Sequence, residues 1–499
     1  MNSRRVYRTV AATSSRLQRK KQHFYRSLLV VGIAGGAVAT LSSKKSLAEV
    51  PPSKEEYRNL ISSQHRQITQ SREEPGVYAW GNNSGRVVAP DSTEPVIKTP
   101  RRIPYFDGKL LRDIKLDQNF GAAVDQHGDL LQWGAGYSTD NTNPVPTLTG
   151  KNIISISLSK DRILALSRSG AVYNLPVSAT EQASGPKPHE SSWLPLWNPQ
   201  SPISYKLITP NSLNYSEKVS SIATGLDHIL LCTNKGRVFS ASTSNTPPTQ
   251  GQLGVSPLPP TPPYELTTLR SITQIACGDA HNLALAQSGR VYVWGSNASG
   301  QLGLEFTSET PIITEPCLLP LQKLYREGPW KATRVAAGGN NSYITVDVET
   351  SNRLVADTLA FGQGIHGGLG NNRWTHAQHT PTRIPGLSGL REYDEVRGVT
   401  VPIRLAELVV GGTHAAAVLD NITQTMDGGG GRDVLFWGGN GSFQLGTGKR
   451  NNVPVPMYLA PLGGDEGGVV NRFHLAPRGR EMEQRVHCGR GATCVFSSI

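Results

Sequence analysis

A recurring interval limits what this chain can fold into more than any other feature. Ile275 stands 19 residues before Trp294, and the same interval separates Ile114 from Trp133, Ile156 from Leu175 and Ile222 from Ala241. Each copy also places a glycine five residues before its last position, at Gly289, Gly128, Gly170 and Gly236. Two longer copies carry insertions, from Val335 to Phe361 (26 residues) and from Leu408 to Trp437 (29 residues). Two half-copies stand at the ends: RVHCGRGATCVF at 485–496 matches a first half, and PGVYAWGNNSG at 75–85 matches a second. Stretches such as VYVWG and HNLALA put apolar side chains at every second position, the period of a packed strand. The glycines between them mark tight reversals. Short antiparallel strands cannot bury their faces alone, so the units must stack, and radial stacking leaves only short, protected edges. Pairing the two half-copies would close the ring without a free edge. The 52 glycines and 34 prolines fit such a turn-rich, all-β chain.

The best-kept copy, ITQIACGDAHNLALAQSGRVYVWGSNASGQLG at 272–303, runs Gly-x-x-His, then Gly-x-Val-Tyr-x-Trp-Gly, then Gly-Gln-Leu-Gly. This order resembles the regulator-of-chromosome-condensation (RCC) repeat, whose members form seven-bladed β-propellers, and the likeness runs over residues 75–499. The Gly-x-x-His element recurs at His228, His281 and His414, while Leu175 and Ala241 replace the tryptophan, and Pro176 and Ser242 the glycine after it. The resemblance implies an all-β, seven-bladed β-propeller of RCC-type repeats over 75–499, closed by pairing of the two terminal half-repeats.

Ahead of it, the chain changes character. Residues 1–48 hold six Arg and four Lys with no acid before Glu49, so most of the formal charge of +12 lies there and the body is nearly neutral. A near-neutral body gives no composition signal for a nucleic-acid-binding surface. Residues 1–26 read as a mitochondrial presequence: they are Arg-rich and acid-free, and Val6, Val10, Thr13 and Leu17 share one side of a helix away from Arg5, Arg8, Arg16 and Arg19. Residues 27–43, SLLVVGIAGGAVATLSS, form an uncharged run of the minimum length for a membrane-spanning helix. Two other readings stay open, a secretory signal peptide and a two-part import signal whose apolar half is removed. Residues 44–74, mixing Glu with Lys and Arg, read as a stalk. The basic flank favours an intermembrane-space propeller, Lys44 and Lys45 oppose it, and the matrix stays open as the alternative.

Several motifs invite chemistry and lose it on inspection. The Trp-Gly pairs at 80, 133, 294 and 437 hold the same place in successive units, which makes them core residues rather than a ligand cage. The repeated histidines are internal hydrogen-bonding residues by the same argument. Gly362-Gln-Gly364-Ile-His-Gly367 spells a dinucleotide fingerprint, yet it runs on into Gly-Gly-Leu-Gly, the repeat's own loop, rather than a helix. The DGGGGRD run at 427–433 lacks the Lys-Ser/Thr of a phosphate loop. Five scattered cysteines, Cys232, Cys277, Cys317, Cys488 and Cys494, form neither a disulfide framework nor a metal-ligand spacing and read as buried small apolar residues. No catalytic residue, cofactor or metal site is assigned.

Function is then expected in the segments that interrupt the repeats. The segment 178–217 carries Trp193 and Trp197 among prolines, and 366–406 carries Trp374; these three tryptophans are the candidate partner-binding residues. Resemblance to fungal mitochondrial inner-membrane members of the family implies a non-enzymatic scaffold that aids assembly or maintenance of a respiratory complex, cytochrome bc1 first. The family also implies two alternatives, guanine-nucleotide exchange on a mitochondrial GTPase and a role in mitochondrial ribosome or RNA maturation.

Overall fold

A computed structural model of the protein describes residues 65–189, 200–244, 246–256, 262–305, 311–326, 328–350, 353–394, 397–421, 431–462 and 472–499. The segments read as presequence (1–26) and membrane helix (27–43), and the stalk up to residue 64, lie outside them.

The described chain is an all-β propeller. Each repeat becomes four antiparallel strands because each is built from short alternating runs punctuated by tight turns. In the copy at 272–318 these are Ile272–Cys277, His281–Ala286, Val291–Ser296 and Ile312–Leu318, paired in that order. HNLALA and VYVWG form the two middle strands, where nearly every residue is buried. Gly289 turns between them at φ +84°, a conformation that suits glycine.

The sheets correct the expectation of seven separate blades. Five blades stand as sheets of their own, at 153–207, 219–265, 272–318, 330–383 and 405–458, the last extended by His474–Leu475. Eight further strands form one continuous sheet, and Arg391–Asp394 and Val399–Pro402 pair as a separate hairpin. The closing section of the eight-stranded sheet joins Glu483–Cys488 and Ala492–Ser498 to Val77–Asn82 and Val96–Arg102, with Val77 opposite Phe496 and Gly81 opposite Ala492. Its second section runs from Leu111–Leu116 to Val145–Leu148. The two are fused because the last strand of the chain reaches the first strand of the next section: Leu111 bridges Ser498 in parallel, and the Ile499 N–H donates to Leu111 O at 3.1 Å. No helix among the described residues is long and apolar enough to cross a membrane, and the expected span at 27–43 lies outside them.

The first strand of every section lies against the first strand of the next, and Glu483–Cys488 lies against Leu111–Leu116, so these strands line a common axis. Strands alternate in direction, which sets two ends. The turns from first to second strand and the connections from third to fourth share one end; the turns from second to third strand share the other. A helix over 65–73 docks at this second end. Its Ile68 is buried with Ala476 and Met482, and Gln67 donates to Arg472 O at 3.3 Å.

Candidate interaction face

The end that carries the first turns is built on glycine. Between successive sections the turn backbones hydrogen-bond one to the next: Lys160 N–H to Leu226 O (3.1 Å), Leu226 N–H to Asp279 O (3.0 Å), Asp279 N–H to Gly339 O (2.8 Å) and Gly412 N–H to Gly489 O (3.2 Å). Such close approach leaves no room for side chains. A Cβ on Gly278 would collide with the His281 ring and stand 2.7 Å from Gly339 O, and one on Gly489 would strike Leu116 O. Gly225 and Gly411 are hemmed in the same way by His228 and His414. The glycine of Gly-x-x-His is therefore where an imidazole lies across a bare backbone.

Three histidines each fasten their blade to the next. His228 Nε2 meets Asn282 Oδ1 at 2.7 Å, His281 Nε2 meets Ser342 Oγ at 2.8 Å and His414 Nε2 meets Thr493 Oγ1 at 2.7 Å. Each partner passes the bond on to a glutamine carbonyl of a Gly-Gln-Leu-Gly or Phe-Gln-Leu-Gly loop: Asn282 donates to Gln252 O (2.9 Å), Ser342 to Gln301 O (2.7 Å) and Thr493 to Gln444 O (2.6 Å). Trp294 and Trp80 donate their indole N–H to Gln252 O and Gln444 O at 3.1 and 2.9 Å. All three imidazoles are fully buried. Burial depresses them to about 4 for His228 and about 3 for His281 and His414, against the ordinary 6.5, so they are neutral hydrogen-bonding groups. None is a base facing a substrate.

Over the axis on this end, Arg490 reaches from the closing section to Asp279 (3.1 Å) and Asp117 (3.7 Å). Both carboxyls are pushed up, chiefly by burial, with Arg490 opposing the shift. The cluster closes charges on one another across the ring. Among the described residues no group of three or more His, Cys, Asp and Glu could hold a metal ion. A cavity lined by Thr345, Asp347, Asp357 and Arg404 measures about 100 Å³, small beside the few hundred Å³ usual for small-molecule sites. Gly362–Gly367 leaves a strand end and turns back on itself, Gly364 N–H bonding Thr375 O at 2.9 Å, with no helix for a pyrophosphate.

Of the candidate tryptophans, Trp374 is described and 54% exposed. It lies in the connection between Arg353–Gly362 and Gln378–Arg383, on the end with the glycine turns. Trp193 and Trp197 lie outside the described residues. Their connection leaves Val172–Pro176 and returns at Lys206–Leu207 on the same end, anchored by helix Ala179–Ser184, whose buried Gln182 donates to Gln132 Oε1 at 2.8 Å. Two whole blades, 219–265 and 272–318, separate that connection from the one bearing Trp374, so topology does not make them neighbours. Sequence reasoning missed Arg373, Lys449 and Arg450 on this face. The signal available was the absence of any acid from 362–383 and from 438–462.

The profile described as "Regulator of chromosome condensation (RCC1) repeat" matches residues 272–301 and 288–344, the blade just described and the start of the next. The chain carries RCC1 repeats. Among curated proteins it is similar to the mitochondrial protein FMP25 of Saccharomyces cerevisiae, at 26% identity over 85% of this chain and 72% of that one. It is also similar to the mitochondrial RCC1 domain-containing protein RUG3 of Arabidopsis thaliana, at 24% identity over 69% of this chain and 72% of that one. A third relative, pim1 of Schizosaccharomyces pombe, is 27% identical over 48% of this chain and 41% of that one. Among solved structures, human WBSCR16 superposes with a TM-score of 0.58 at 18% identity, covering 85% of this chain and 99% of that one. Prp20p from Saccharomyces cerevisiae, solved with its binding to Gsp1p and histones under study, superposes at 0.56 with 16% identity over 86% and 94%. At these identities the structures establish the β-propeller fold and nothing finer.

Proposed function

We propose that this protein is a non-enzymatic interaction scaffold of mitochondria that aids assembly or maintenance of a respiratory complex, with cytochrome bc1 as the first complex to test. The observation that carries the reading is the likeness to mitochondrial FMP25 over most of both chains. The structure supports it from the chemical side: the repeated histidines are spent on joining blades, and the connections from third to fourth strands, 177–205 and the one bearing Trp374 among them, share one end. Large interrupting loops on a rigid disc suit protein contact. The test is affinity purification of the tagged full chain from mitochondria, followed by mass spectrometry. Enrichment of bc1 subunits or their assembly factors is expected. Enrichment of mitochondrial ribosomal proteins instead, or of a GTPase whose nucleotide release the purified chain accelerates, would overturn it.

A further inference from the structure

The connections between third and fourth strands are polarised by charge around the ring. Those at 83–95, 134–144, 177–205 and 297–311 carry Asp91, Glu94, Asp140, Glu181, Glu190, Glu305 and Glu309 against only Arg86 and Lys187, and 243–263 carries no charge. The two at 363–377 and 439–452 reverse this: they hold Arg373, Lys449 and Arg450 and lie within the two acid-free stretches. They are also neighbours. Asn372 N–H donates to Pro454 O at 2.9 Å, tying the first connection to the strand that ends the second, and Gly448 N–H donates to Lys98 O at 3.2 Å. Arg373, Lys449, Arg450 and Lys98 are exposed, and none of them pairs with a carboxylate among the described residues. The same two connections carry exposed Trp374, next to Arg373 in the chain, and half-buried Phe443, over whose ring the Lys98 ammonium sits 5.8 Å from the centroid.

We infer that this two-loop surface binds an acidic protein segment bearing an apolar side chain, its carboxylates meeting Arg373, Lys449, Arg450 and Lys98 and its apolar group meeting Trp374. Arg450 donates its Nε–H to Gly441 O at 2.6 Å, but none of the four cations is held in an ion pair among the described residues, so a negative segment gains attraction without displacing one. Acidic connections elsewhere on the same end repel that segment and confine it to this sector. The chain's own first 48 residues, with ten basic residues and no acid before Glu49, have the wrong charge to be the occupant. The inference deepens the scaffold reading, on which it rests, by naming the chemistry of the partner.

The test uses the full chain and a fluorescein-labelled peptide with a run of Glu around one central Phe, read by fluorescence anisotropy. Three chains are compared: wild type, the triple reversal R373E/K449E/R450E, and a reversal of three exposed cations at the opposite end, K235E/R290E/R353E. The basic leader is common to all three, so its own affinity for the peptide cancels in the comparison. Expected is a loss of about tenfold or more for the first reversal, little change for the second, and a loss that shrinks as salt is raised. Equal binding by all three chains would overturn the surface. So would an oligouridylate probe that loses more than the peptide does, which would assign the sector to nucleic acid. Mitochondrial partners recovered equally by wild type and the first reversal would overturn this surface and leave the scaffold reading standing.

Discussion

The blades at 272–318 and 153–207 occupy equivalent places in the ring and are held there by different chemistry. In the first, Gly278 and His281 bring a neutral imidazole onto Ser342 of the next blade, and Trp294 lies opposite Asn282 on the adjacent strand. In the second, the glycine position is Ser159 and the histidine position is Arg162. Ser159 hydrogen-bonds Leu226 O and, at 2.8 Å, the hydroxyl of Thr243, so a side-chain network replaces the imidazole relay. Leu175 stands where Trp294 does, and the residue opposite it is Ile163. The same exchange recurs in the 219–265 blade, where Ala241 faces Ile229. Where tryptophan is kept, its opposite number is small or polar: Asn282, Ala415, Gly121 or Thr493. Volume is thus shared across a strand pair rather than fixed at one position, and the repeat can lose its most visible letters while the blade keeps its core.

The contrast breaks most sharply at the glycine. Gly278→Ala sets a methyl group against the His281 ring and the Gly339 backbone at once, neither of which can retreat without shifting a blade. The expected cost is about 3 kcal/mol or more, measured by denaturant unfolding. A loss under about 1 kcal/mol would mean that the imidazole swings aside freely and that the close turn is incidental.

Acid should separate the two blades next. His281 is depressed to about 3 by burial, with His228 adding to the effect, whereas the unfolded chain protonates near 6.5. Between those values the unfolded state binds the additional proton, so stability is full above about 6.5 and falls as pH is lowered toward 3. Each such histidine steepens the slope by about 1.4 kcal/mol per pH unit. His281→Gln, which keeps a donor toward Ser342, should flatten the dependence between pH 6 and pH 4.5 by about that amount relative to wild type. An unchanged slope would show that the site opens to water before it titrates. Arg162→Gln in the other blade, where no histidine is buried, should leave the slope as it is.

Ser159→Ala is the matching lesion in the degenerate blade. It removes the donor to Leu226 O and leaves Thr243 short of a partner, for an expected cost of about 1 to 2 kcal/mol in the same unfolding experiment. A cost equal to that of Gly278→Ala would mean the hydroxyl network carries as much of the blade junction as the glycine turn.

The sequence made the blades legible through spacing, and its silence elsewhere has physical causes. The 19-residue interval and the glycine five residues before its end located strands even where tryptophan was missing, because turn geometry constrains those positions more tightly than core volume does. The fusion of eight strands into one sheet was not legible, since it turns on one bridge between Leu111 and Ser498, whose side chains say nothing about it. Nor were the relay partners Asn282, Ser342 and Thr493: three residue types fill one role, and only the folded arrangement aims each at a glutamine carbonyl. Exposed Trp374 could be singled out from sequence because it interrupts a repeat, but the cations around it come from three segments that the fold alone assembles.

Trp374→Ala should have the smallest effect on folding and the clearest effect on binding. Its side chain is 54% exposed and belongs to neither the indole hydrogen bonds nor the buried core, so unfolding should move by no more than about 0.5 kcal/mol. If the connection is there for recognition, the same variant should weaken the acidic peptide by about threefold to tenfold, the range expected for truncating an aromatic anchor at an interface. A variant that unfolds more easily yet binds as well would reverse the assignment: Trp374 would then be cover for its own loop, and the recognition surface would be electrostatic alone. The comparison between blades turns on this point, because it asks whether the residues outside the repeat are as functional as those inside it are structural.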